Sequence, residues 1–237
     1  MKKTKVTRAS AQKISPKDYR PRQGDLQDAS GRAMKIFSTL RRSYPDAHCA
    51  LDRRNTLELL IATILSAQCT DVRVNIVTRS LFKKYRKADN YADAPDGQLE
   101  NDIKTTGFYR NKARNIRAAC RDIVEKFAGK VPDNMDDLLS LSGVGRKTAN
   151  VVLGNAFDIP GVVTDTHVIR LSRLMGLSAN TEPVKLEYDL MELLPPKNWT
   201  LFSHVMVFHG RQICIARKPG CNDCPVRRHC CYGRSGL

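Results

Sequence analysis

The sequence predicts an all-α fold, on three observations. Apolar residues recur at helical spacing in one segment after another. Helix-starting and helix-stopping residues bracket those segments. No stretch alternates apolar and polar residues for longer than GVVTDT (161–166), which leaves strands without a candidate.

The elements follow in order. Met34, Phe37 and Leu40 form the first stripe, ended by Pro45. TLELLIATILSAQ (56–68) is apolar nearly all round, as a helix at the centre of a domain must be, and Gln68 closes it. Thr70 or Asp71 caps the next helix, with Val74, Val77 and Leu81 turned inward. Ile116, Ala119, Cys120, Ile123, Val124 and Phe127 make the strongest amphipathic stripe, stopped by Gly129. Further helices fall near 134–141, 146–157, 166–175, 183–194 and 198–213. Residues 1–30 hold few large apolar residues and no stripe, and read as a flexible basic arm.

Charge narrows the partner. The 237 residues carry 40 Lys and Arg against 24 Asp and Glu, a net charge of +16. Residues 1–33 hold nine basic and three acidic residues, so the remainder is itself strongly basic. An excess spread over the folded part points to a polyanion, most often nucleic acid. No apolar run approaches the roughly 18 residues of a membrane span, and the basic N-terminus lacks the apolar core of a secretory signal. The chain is therefore expected in the cytoplasm. Its eight cysteines then favour metal binding over disulfides.

MDDLLSLSGVGRKTANVVLGNAF (135–157) reads as helix, tight glycine turn, helix. Gly143 and Gly145 permit so short a turn and let a phosphate approach the backbone, where unpaired helix-start amides can hold it. A phosphate-cradling loop of the Gly-x4-Gly-Lys-Ser/Thr type is excluded, because no Gly directly precedes Lys147. Arg146 and Lys147 sit where the helix dipole disfavours cations. Either both serve a phosphate, or Lys147 does chemistry. Val151, one turn on, places Lys147 toward a partly apolar cleft. The helix end, a neighbouring Arg and desolvation all favour a neutral amine, the form that attacks carbon to make a Schiff base.

VTDTHVIRLSRLMG (163–176) starts a helix after Asp165, a good N-cap. A carboxylate so held still has one oxygen free to stabilise positive charge on a sugar. His167 reads as structural. The C-terminus gives Cys214-x6-Cys221-x2-Cys224-x5-Cys230, with Cys231 left over. Four clustered thiols in a reducing compartment indicate a metal centre, and the spacing alone leaves zinc and iron–sulfur open. Cys49, Cys69 and Cys120 are isolated and receive no task.

Taken together, LLIATILSAQCTDVRVN, GFYRNKARNI, LSGVGRKTANVVL, TDTH and the cysteine spacing resemble the endonuclease III family of helix-hairpin-helix DNA glycosylases. The resemblance spans nearly all of 31–231. It implies two helical domains flanking a DNA-binding cleft: a barrel of about six helices over 49–159, and a second domain joining 31–48 to 160–237 and ending in a [4Fe–4S] cluster loop. It implies excision of oxidised pyrimidines from damaged double-stranded DNA by a monomer, followed by strand cleavage at the abasic sugar. Lys147 matches the Schiff-base lysine and Asp165 the assisting carboxylate. Cys214, Cys221, Cys224 and Cys230 match the cluster ligands. Gln68 and Phe108 match side chains that fill the gap left by an extruded base, and Gly143 and Gly145 the phosphate-binding turn. Ser142, Phe108 and Thr164 depart from the family's usual Pro, Leu and apolar residue. The rivals are a glycosylase without lyase activity, against which Lys147 argues, and a non-catalytic DNA-binding module, which Asp165→Asn would separate from the enzyme readings.

Overall fold

The computed structural model of the protein describes residues 14–235, and all regular structure among them is helical. After α1 (Gln23–Gln27) comes α2 (Ala29–Ser43), then α3 (Thr56–Leu65), α4 (Asp71–Lys84), α5 (Ala88–Ala92), α6 (Gln98–Asp102) and α7 (Tyr109–Phe127). The order continues with α8 (Met135–Ser140), α9 (Arg146–Ala156), α10 (Thr166–Met175), α11 (Pro183–Leu193), α12 (Trp199–Gln212) and α13 (Cys231–Arg234).

Two hydrophobic clusters organise these helices. The first is built on α3, whose Leu59, Leu60, Ile61, Ala62 and Leu65 are completely buried, with apolar faces of α4 to α9 packed round them. The second joins Ile36, Phe37 and Leu40 of α2 to Leu171 and Leu174 of α10, and to Phe202 and Val205 of α12. The chain therefore starts the second cluster, leaves to build the first, and returns. Burial of a central helix on every side explains why its sequence shows no polar face.

Local chemistry sets the ends. Thr70 caps α4, its Oγ1 accepting from Arg73 N–H at 3.3 Å. Asn134 caps α8 by accepting from Asp137 N–H at 2.9 Å. Ala128 and Gly129, both left-handed, end α7, and Gly129 N–H donates to Ile123 O. Two expectations shift. α3 stops at Leu65 rather than Gln68, since Ser66 Oγ turns back onto Thr63 O and Gln68 takes a left-handed conformation. Met34 is exposed, and Ala33 and Ile36 carry the α2 stripe instead.

The expected flexible arm is corrected over its second half; residues 1–13 of it lie outside the described residues. Tyr19 is buried, its ring packed edge-on to Tyr232 with centroids 5.3 Å apart. Arg173 donates to Pro16 O at 2.9 Å and Lys17 O at 3.0 Å. A single buried aromatic among polar neighbours outweighs their composition. Tyr19→Ala is expected to lower the unfolding free energy by about 3 kcal/mol, measured as a shift in the denaturant midpoint.

Candidate active site

The glycine turn between α8 and α9 is shaped for close approach. Gly143 has φ 76°, and a Cβ there would lie 2.7 Å from Asn115 Cβ, so only glycine fits. Gly145 has open space where a Cβ would stand, so its lack of a side chain leaves room for something outside the chain. It is the N-cap of α9 and makes no side-chain cap, which leaves the first N–H groups of that helix facing outward.

Arg146 does not join them. Its Nε donates to Glu187 Oε2 at 2.8 Å, Nη2 reaches Tyr188 OH at 3.2 Å, and the guanidinium lies 5.2 Å from that ring's centre. Glu187 is buried, so Arg146 is held by α11 as its counter-ion rather than offered to a phosphate. Of the two readings the sequence leaves open, the clamp made by both cations loses Arg146, which ties the two clusters together, while Lys147 faces the cleft.

Lys147 and Asp165 line the same open cleft of about 290 Å³, with Val151, Ser66, His167 and Arg211 among its other walls. The cleft lies where the clusters meet. Asn150 of α9 donates to Val162 O at 3.2 Å, and Val163 N–H donates to Ser203 Oγ of α12 at 2.9 Å. Those bonds fix the extended lead-in to α10 against both clusters and so aim Asp165. Its Oδ1 accepts from Val168 N–H at 2.8 Å, as the N-cap of α10. The cap engages one oxygen and leaves the carboxylate half-buried toward the cleft. Lys147 is exposed, so the partly desolvated setting expected from the sequence is not found. His167, expected as structural, lines the cleft too, and burial pulls its pKa below the ordinary histidine value. The sequence reading missed Asp71 and Arg211, whose ion pair at 2.8 Å closes one wall.

Gln68 and Phe108 share a feature that no sequence pattern signals. Both hold left-handed backbone, φ 51° and 48°, which strains residues other than glycine. Phe108 is 63% exposed and Gln68 is also exposed. Both side chains thus stand on left-handed backbone and project from the surface.

At the C-terminus, Cys214, Cys221, Cys224 and Cys230 line one small pocket. Burial pushes the thiols of Cys214 and Cys230 up to about 12 and those of Cys221 and Cys224 upward. Among the described residues, no three Cys, His, Asp or Glu side chains converge as a single bound metal ion requires. The donor set fits a polyatomic group: four thiols line one pocket, Gly233 N–H points at Cys230 Sγ from 3.4 Å, and His209 Nε2 lies 3.5 Å from Cys224 Sγ. Cys231 lies off this cavity, its Sγ against Arg234 at 3.5 Å.

Comparison with known proteins agrees with this construction. Residues 61–196 match the family described as HhH-GPD superfamily base excision DNA repair protein. Endonuclease III of Synechocystis sp. is 52% identical over 200 residues, covering 84% of this chain and 91% of that protein. A non-covalent endonuclease III–DNA complex superposes with TM-score 0.83 at 44% identity, covering 86% of this chain and 96% of that one. A trapped endonuclease III–DNA covalent intermediate, in an estranged-adenine complex, matches with the same TM-score, identity and coverage. The chain thus belongs to the HhH-GPD superfamily of base excision DNA repair proteins and, within it, to the endonuclease III family.

Proposed function

We propose that this chain removes oxidised pyrimidines from duplex DNA and then cuts the strand at the abasic sugar, with Lys147 as nucleophile and Asp165 as its assisting carboxylate. The observation that carries the assignment is one cleft lined by an exposed amine and a rigidly capped carboxylate, brought together from α9 and α10.

Each element has a task. The outward N–H groups behind Gly143 and Gly145 hold a backbone phosphate, the anion that a helix start favours. The target nucleotide swings out of the stack into the cleft, an extrusion that costs a few kcal/mol. Gln68 and Phe108 enter the vacated space and restore stacking. Lys147 Nζ then attacks C1′; the C1′–N bond forms as the glycosidic bond breaks, and the base leaves with a proton. Asp165 accepts the proton the ammonium must lose and offsets positive charge on the sugar. The product is a Schiff base on the ring-opened sugar. Loss of a C2′ proton expels the 3′ phosphate by β-elimination, and water frees the lysine.

Cys214, Cys221, Cys224 and Cys230 would hold a [4Fe–4S] cluster. When bound, that group cross-links the end of α12 to α13 and so shapes the intervening basic loop. The two hydrophobic clusters support a division into a barrel over 49–159 and a second domain of 31–48 with 160–237. Among the described residues, no helix is long and apolar enough to cross a membrane. The reading of a repair enzyme places the chain with its DNA in the cytoplasm, acting as a monomer.

The test is borohydride reduction of the enzyme with a duplex carrying an oxidised pyrimidine. A covalent protein–DNA adduct on that duplex, and none on undamaged duplex, is the expected result; no adduct on either overturns the Schiff-base route. The wedge role makes a second prediction with two signs. Phe108→Gly relieves the strained backbone and raises stability by about 1 kcal/mol, while excision slows. Calorimetry and single-turnover excision on the same sample check both.

A further inference from the structure

The two strained loops are joined beneath the surface by one side chain outside the machinery assigned above. Lys112, in the first turn of α7, is 5% exposed. Its Nζ donates to Leu65 O at 2.7 Å and to Thr106 O at 2.8 Å. Its own backbone N–H donates to Phe108 O at 3.1 Å. Leu65 is the last residue of α3, three before Gln68, and Thr106 stands two before Phe108. The backbone bond is the first of the α7 ladder; the side chain adds a tie from the turn before Phe108 to the end of the helix before Gln68.

We propose that Lys112 is a positioning residue that fixes the spacing of Gln68 and Phe108, so that both enter the duplex together as the base leaves. Capping a helix C-terminus explains a cation on Leu65 O. It does not explain the second bond to Thr106 O, in a different loop, nor the convergence of both bonds on residues adjoining left-handed positions. A buried ammonium is costly, and burial draws its pKa below the ordinary lysine value. Such a group is a poor choice for stability alone, whereas a short rigid bridge between two carbonyls fixes geometry to within a hydrogen-bond length. Misplacing a working group by about an ångström costs on the order of 10²-fold in rate.

This inference rests on the base-extrusion reading, and the experiment separates the two. The full-length protein and Lys112→Met, which keeps the length and loses the donors, are mixed with a duplex carrying an oxidised thymine opposite 2-aminopurine. Fluorescence reports unstacking of that partner base; product release reports excision. A single-stranded abasic oligonucleotide, which needs no wedge, reports whether the lysine–aspartate cleft is intact. Lys112→Met is expected to cut the single strand at the wild-type rate, to lose most of the fluorescence rise, and to excise about 10–100-fold more slowly. Lys112→Gln, shorter but still a donor, is expected to lie between the two. Wild-type fluorescence and excision in Lys112→Met overturn the proposal. So does loss of single-strand cutting in both variants, which makes Lys112 a support of the fold rather than of the wedges. If the wild-type protein itself gives neither fluorescence rise nor excision, the extrusion reading fails instead.

Discussion

Lys147→Gln is expected to abolish the borohydride-trapped adduct and to slow base excision by about 10³-fold or more, the scale seen when a nucleophile is removed. Stability should not fall with it. Lys147 is exposed at the second position of α9, where the helix dipole disfavours a cation, so a neutral amide there is neutral or stabilising by about 0.3–1 kcal/mol. Duplex affinity should drop only by one cation's share, because the glycine turn and the wedges are untouched. That combination of chemistry lost with fold and binding kept is the signature of a reacting group. A lysine serving only as a phosphate contact gives the reverse: weaker, more salt-independent binding with the adduct retained. An adduct that persists in the variant overturns the assignment of Lys147.

Motifs defined by local spacing were legible in the sequence, and those defined by distant partners were not. The helical stripes of α7 and α10 and the all-apolar run of α3 come from the period of the chain itself. The glycine turn and the cysteine spacing were visible for the same reason. Arg146 shows the limit. Its neighbours suggested a phosphate clamp, while its partner Glu187 lies 41 residues away on α11, a pairing no local pattern encodes. Tyr19 is a second case, since a polar tail gave no hint of the Tyr232 ring that receives it. The short α5 and α6 lack the length to show a period. Left-handed backbone is signalled by glycine, so its occurrence at Gln68 and Phe108 was invisible until the structure showed it. The same holds for Lys112, one cation among 40 Lys and Arg until its two carbonyl partners appear.

Asp165→Asn separates the helix cap from the role in base release proposed for the same carboxylate. Asn caps a helix about as well as Asp, and its Oδ1 can accept from Val168 N–H as the carboxylate does at 2.8 Å. The variant is therefore expected to melt within about 0.5 kcal/mol of the wild type. What it loses is the negative charge and the proton acceptor. Base excision should then fall by about 10²–10⁴-fold, the range of a positioned acid–base group. Affinity for the damaged duplex should persist, because no wedge and no phosphate contact changes. Asp165→Ala provides the control: it should lose the same activity and, in addition, about 1 kcal/mol of stability with the cap. A preformed abasic duplex adds a further discrimination, since it has no base to release. If Asp165 acts mainly at base departure, adduct formation there is impaired far less than excision from the damaged duplex. If it acts mainly by taking the proton from Lys147, both fall together. Wild-type excision by Asp165→Asn leaves the residue as a helix cap and nothing more, and the carboxylate of the reaction must then be sought at Asp71, the other acid lining the cleft.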